Sequence, residues 1–150
     1  MARGSLKQGS FVPRNPSKYV GKVDAIVFRS SWELRFMRYC DENPLIVMWT
    51  SEEVVIPYFS AVDQKTHRYF VDFMIRVIKP GSDKKYLIEI KPYEQTQPPT
   101  KPRSKTYQEQ VKTYVTNQEK WRAAAAWCKK NGAEFAIMTE YDLGIAKRKN

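Results

Sequence analysis

Asp72, Glu89 and Lys91 are the side chains in this sequence best suited to chemistry on a phosphate ester. Two carboxylates can hold a hard divalent cation through oxygen. A compact ammonium beside them can offset charge that develops on a phosphoryl group. Asp72 sits in the run Tyr69-Phe70-Val71-Asp72-Phe73, and Glu89 and Lys91 flank Ile90 in Ile88-Glu89-Ile90-Lys91-Pro92. Each motif alone has an ordinary explanation. Glu-x-Lys on a strand is a common surface ion pair worth little, and an aspartate in an aromatic strand can simply accept hydrogen bonds. Their relative placement makes them a candidate site.

Residues 67–78 and 85–91 read as strands joined at Pro80-Gly81-Ser82, a turn-forming cluster. Residues opposed across an antiparallel hairpin point to the same side of the sheet. The midpoint of Asp72 and Glu89 falls between Pro80 and Gly81, and that of Asp72 and Lys91 between Gly81 and Ser82. Either register sets Asp72 beside Glu89 and Lys91, which share a face about 7 Å apart along their strand. The other face carries Tyr69, Val71, Phe73, Ile75, Val77, Tyr86, Ile88 and Ile90 and should pack against helices. The carboxylates are then expected off the core side, with Phe70, Met74 and Leu87 around them.

Such a pair suits Mg²⁺, with Mn²⁺ as a substitute: Asp72 and Glu89 give carboxylate ligands, and the Ile90 carbonyl can add a neutral one. The cation would polarise a scissile phosphate and acidify a bound water. Lys91 could orient that water. Glu33 could complete the site if its helix crosses the sheet edge, although a helix cap also accounts for it. The chain has one histidine, His67, and two cysteines, Cys40 and Cys128. Two-histidine nuclease chemistry is thereby excluded, and a four-ligand zinc site is hard to build.

The elements that must position these groups follow from periodicity and caps. Ser30-Ser31-Trp32-Glu33 is a capping box opening a helix, with Trp32, Phe36 and Tyr39 expected on its core face and an end before Pro44. Strands are expected over residues 45–49 and 53–59. A helical stretch begins near Tyr107, with a break expected at Thr116, where Thr116-Asn117-Gln118-Glu119 repeats the capping pattern. Gly132 should end that helix, and residues 135–138 read as a short strand. The sum is an α/β (α+β) fold: a central mixed β-sheet flanked by helices, one domain over residues 25–150 after a basic flexible arm over 1–24.

A formal charge of +10 and a pI near 9.6 predict attraction to polyanions that weakens with salt. The candidate phosphate contacts are Arg14, Lys18 and Lys22 in the arm, Arg29 before the first helix, and Lys101, Arg103 and Lys105 in the proline-rich loop 92–105. Residues 147–149 form a basic tail. A solvated tail and a plain linker explain the arm and the loop as well. No apolar run is long enough to span a bilayer, and the amino terminus lacks an apolar signal core. Reduced thiols in a cytosolic setting are expected for the two cysteines. An RNA-binding sheet is disfavoured by the lack of an aromatic stacking motif.

An acidic helix residue, an aspartate ending a strand and Glu-x-Lys on the next strand resemble the PD-(D/E)XK nuclease superfamily. The ordered series Asn15-Pro16-Ser17-Lys18-Tyr19, Arg29-Ser30-Ser31-Trp32-Glu33, Tyr69-Phe70-Val71-Asp72, Ile88-Glu89-Ile90-Lys91-Pro92 and Ile137-Met138-Thr139-Glu140 is similar to the TnsA-like endonucleases and to the head completion nucleases of T-even bacteriophages. Val71 stands where the superfamily pattern often has proline. The resemblance implies a restriction-endonuclease-like fold and Mg²⁺-dependent cleavage of double-stranded DNA, with Glu33, Asp72, Glu89 and Lys91 as the active-site set. It also implies action late in phage head assembly, after DNA packaging, in the host cytoplasm or virion. Head or portal proteins would be partners, and a homodimer would allow both strands to be cut. A non-catalytic, DNA- or portal-binding protein that retains the fold is the alternative.

Overall fold

The computed structural model describes residues 8–148; Arg3 and Lys7 of the expected arm and Lys149 of the tail lie outside that range. In chain order the elements are β1 (Gly9–Ser10), β2 (Val27–Phe28), α1 (Ser31–Glu42), β3 (Ile46–Ser51), β4 (Val55–Ser60), β5 (Lys65–Phe70), β6 (Phe73–Lys79), β7 (Ser82–Ile90), α2 (Tyr107–Asn131) and β8 (Ala133–Met138). The central sheet has the order β3-β6-β7-β8. β3, β6 and β7 pair antiparallel, and β8 joins β7 in parallel through the α2 crossover, so the sheet is mixed as expected.

α1 begins where its cap dictates. The Ser30 hydroxyl accepts from the Glu33 N–H at 3.1 Å. Its buried stripe is Leu34, Phe36, Met37 and Cys40, which packs on the sheet face carrying Trp49, Phe73, Ile75 and Ile88. Tyr39, expected inside, is 53% exposed. It lies two residues from Met37, about 200° round the helix, and so points away from the buried stripe.

The long strand expected over 67–78 is two strands. Chain pairing changes at Val71 and Asp72: the Val71 N–H donates to the Val54 carbonyl, and the Asp72 carbonyl accepts from the Glu52 N–H. Upstream of the break, β5 pairs with β4 as a separate two-stranded ribbon. The break overturns part of the expected facing. Tyr69 and Val71 do not share a face with Phe73 and Ile75; they join Ile56, Leu87, Trp121, Ala124 and Cys128 in a second core on the opposite side. The carboxylate side of the sheet is therefore covered by the ribbon and α2 rather than lying off the core.

α2 is uninterrupted from Tyr107 to Asn131, without the break expected at Thr116. No glycine or proline falls inside it, and a capping pattern within a continuous helix has no free N–H groups to satisfy. Gly132 ends it with a left-handed backbone, φ +67°. Cys40 and Cys128 are free and buried in the two different cores.

Residues 8–24 pack on the domain rather than standing off as an arm. β1 pairs with β2, and Phe11 and Tyr19 place their rings 5.8 and 4.7 Å from that of buried Trp49. Asp41, at the end of α1, is buried and accepts the backbone N–H groups of Arg14 (2.8 Å) and Asn15 (2.9 Å). The Lys18 ammonium donates to the carbonyls of Asp41 and Asn43, both at 2.9 Å, and serves as a cationic cap on that helix end.

Candidate active site

The β6–β7 hairpin runs in the register that the turn predicts. Phe73 faces Ile88 and Lys79 faces Ser82, so the next positions outward are Asp72 and Glu89. Asp72 lies just before β6, where the chain leaves the ribbon, and its Oδ2 accepts the Ile90 N–H at 2.8 Å. This bond fastens the carboxylate to β7. In an antiparallel ladder a residue's N–H and C=O point to the same side. The Ile90 carbonyl therefore also faces the Asp72 side.

Glu89 is buried near the end of β7, with its two oxygens differently engaged. Oε1 accepts a 2.6 Å hydrogen bond from the Tyr69 hydroxyl, and Oε2 lies 3.7 Å from Lys91 Nζ. Lys91 is held by its backbone N–H, which donates to the Met138 carbonyl at 3.0 Å and carries the β7–β8 pairing one residue past the strand. The lysine side chain is partly buried, 23% exposed, so its charge acts with less screening than that of a surface lysine.

Glu33 belongs to the same electrostatic group. Its Oε1 accepts the Arg29 N–H at 2.9 Å, one residue before the cap, in a variant of the expected capping box. Burial pushes this carboxyl above its ordinary range, against the Arg29 backbone hydrogen bond; the charges of Glu52 and Glu89 add to the rise. Asp72 is pushed well above the usual carboxylate range, first by burial and then by Glu89, with Glu33 adding and Lys91 opposing. The geometry thus brings Asp72, Glu89 and Lys91 together, and Glu33 is near enough for its charge to act on Asp72.

Arg29 lies at the rim of this group. Its guanidinium pairs with Glu52 at 2.9 and 3.1 Å and is largely exposed. Arg14 and Lys22 are exposed on the packed N-terminal segment, whereas the Lys18 ammonium is bound to α1 as described. Lys101, Arg103 and Lys105 are exposed on the loop that follows Lys91. His67 lies on the ribbon with Nε2 2.7 Å from Asp63 Oδ2, apart from the acidic group's hydrogen bonds.

Tyr69 is the partner of Glu89 that the sequence does not place at the site. The chain from 67 to 78 reads as one strand, which puts Tyr69 on the apolar face. The alternation of large side chains gives no sign of the break at Val71, so parity carried Tyr69 to the wrong side.

Among the described residues, no three acidic, histidine or cysteine side chains are arranged as a ready metal-ligand set. The group nevertheless fits a hard divalent ion. Asp72 and Glu89 set two carboxyl groups beside the single ammonium of Lys91, a cation there would favour release of the Asp72 proton, and the Ile90 carbonyl lies on the Asp72 side of β7. An ion such as Mg²⁺ is commonly held by one or two carboxylates, with waters and phosphate oxygens completing its shell.

The model of the TnsA-like endonuclease N-terminal domain matches residues 43–140, a span that contains Asp72, Glu89 and Lys91. The head completion nuclease of Enterobacteria phage T4 is 41% identical over 141 residues, covering 90% of this chain and 92% of that protein. A mixed sheet that carries an acid–acid–lysine group at the end of a hairpin, matched by family over most of its length, identifies the chain as a nuclease belonging to the TnsA-like endonuclease family.

Proposed function

We propose that this nuclease is a Mg²⁺-dependent DNA endonuclease that acts at head completion, after DNA packaging. The observation that carries the reading is the register of β6 and β7, which brings Asp72 beside Glu89 with Lys91 two residues on. Asp72, Glu89 and the Ile90 carbonyl would hold the ion. When bound, it supplies Lewis acidity to the phosphate and a lowered pKa to water.

The chain's own groups account for the rest of the reaction. A water oxygen forms the new P–O bond as the bond to the leaving sugar oxygen breaks, and one water proton must be taken up while the leaving oxygen gains one. Lys91, 3.7 Å from Glu89, places a positive charge where the transition state gathers negative charge. Tyr69 fixes one oxygen of Glu89 and leaves the other directed towards Lys91. Glu33, with its raised pKa, is suited to hold or accept a proton at the site's edge. Arg29 and the exposed cations of the 92–105 loop offer contacts to the DNA backbone.

Similarity to the phage T4 protein supports a place in head completion; head or portal proteins as partners, and a paired form that cuts both strands, belong to the same proposal. The test is incubation with linear duplex DNA in Mg²⁺, in Mn²⁺ and in EDTA. Cutting in both metals and none in EDTA is expected. Undiminished cutting in EDTA would exclude the metal role. Salt-sensitive binding without cutting in either ion would favour a binding protein that retains the fold.

A further inference from the structure

We propose that the groove between the loop after Lys91 and the N-terminal half of α2 receives an unpaired nucleobase of the strand being cut. This rests on the nuclease reading for its link to a scissile phosphate. The groove has a volume of about 860 Å³, within the range of about 300–1,000 Å³ usual for ligand pockets.

One face of α2 forms its floor. The stripe that buries Trp121, Ala124 and Cys128 continues back through Asn117, Tyr114 and Gln110 in steps of four and three residues. Its character changes as it does so, from apolar side chains against the sheet to amides and a phenol in the groove. Asn117, 5% exposed, lines the inner end of the groove and adds an amide that can both donate and accept.

The opposite wall supplies matching groups. Gln95 and Gln97 bring two further amides, and Tyr93 faces the groove from the loop's short 3₁₀ turn. Tyr114 offers a ring face for stacking, the contact by which proteins take unpaired bases of any sequence, while the Tyr93 ring already has the Arg148 guanidinium 5.7 Å from its centre.

Charge separates a base from a phosphate as the occupant. The whole chain carries +10, but the groove is lined by two acids, Glu94 and Glu109, against one cation, Lys101. A phosphate would find little to neutralise it there. The neutral, flat and hydrogen-bonding part of a nucleotide fits instead. The groove is also close to the chemistry. Tyr93 is two residues from Lys91, at most about 7 Å between Cα atoms. A strand whose phosphate lies at Lys91 can turn a neighbouring base into the groove. Unpaired bases are the favoured occupants because a paired base must first leave its stack.

The test uses a forked DNA with 2-aminopurine in its unpaired strand and a fully paired blunt duplex, both bound in EDTA so that no cutting is needed. Binding of the fork should quench the 2-aminopurine emission. Tyr114→Ala should lower affinity for the fork about tenfold, leave the blunt duplex unchanged, and be rescued by Tyr114→Phe. Gln110→Ala, at an exposed position, should weaken the fork in the same direction. Unchanged emission on binding, or equal effects of Tyr114→Ala on fork and duplex, would overturn the proposal and leave the groove to a protein segment. Quenching by a protein that fails to cut in Mg²⁺ would support the groove and refute the nuclease reading. Cutting without quenching would do the reverse.

Discussion

The Tyr69 hydroxyl donates a 2.6 Å hydrogen bond to Glu89 Oε1, linking the two-stranded ribbon to the central sheet at the acidic site. Both residues are buried, and burial together with the Glu89 charge pushes the Tyr69 hydroxyl's pKa far up, so it stays protonated and remains a donor. Removal of the hydroxyl in Tyr69→Phe leaves a buried carboxylate oxygen without its partner. The variant should stay folded and lose about 10- to 100-fold in divalent-ion affinity or cleavage rate, as outer-shell partners of metal ligands commonly do. Titration of the ion by calorimetry, beside single-turnover cleavage, checks this.

Asp72 should trade stability for function. Its raised pKa means that the metal-free fold retains a proton that the unfolded chain releases near the ordinary value of about 3.9. Stability of the metal-free protein should therefore fall as pH rises from that value through the raised one. Asp72→Asn should remove this fall and raise the melting temperature in EDTA near neutral pH. The same variant should lose the rise in melting temperature that Mg²⁺ gives the parent. Divalent binding to the parent should strengthen with pH and release protons. Melting curves at pH 5 and pH 8, with and without Mg²⁺, test both signs.

Asp41 should matter for folding rather than chemistry. It accepts the N–H groups of Arg14 and Asn15 from a buried position, so Asp41→Ala should cost about 2–3 kcal/mol in denaturant unfolding. Lys18→Ala should lower stability less and leave the salt dependence of DNA binding nearly unchanged, because its ammonium caps α1.

Lys101 and Arg103 are exposed and enter no salt bridge among the described residues, so both are free to meet phosphates. The double substitution Lys101→Ala with Arg103→Ala should weaken duplex binding and reduce the slope of log K against log salt by about two. An unchanged slope would remove the loop from the DNA path.

The chemistry was more legible in the sequence than the covering of the site. Asp72, Glu89 and Lys91 could be brought together by parity alone, because Pro80-Gly81-Ser82 sets the turn and a strand has a strict period of two. Tyr69 could not, since the break at Val71 comes from long-range bonds to Glu52 and Val54 that leave the local pattern intact. Phe11 and Tyr19 were masked by the basic residues around them; only the position of Trp49 shows what they pack against. At Thr116 a local capping pattern lost to tertiary packing, where Trp121, Ala124 and Cys128 hold the continuous helix against the domain.

Cleavage of DNA is assigned to the group formed by Asp72, Glu89 and Lys91. Its most direct test compares the parent with Asp72→Asn and Lys91→Ala on linear duplex DNA in Mg²⁺, at enzyme concentrations where all three proteins bind the DNA. Each variant should keep its far-ultraviolet circular dichroism and lose at least about 100-fold in cleavage rate. Cleavage at the parent rate by both folded, DNA-bound variants would contradict the assignment.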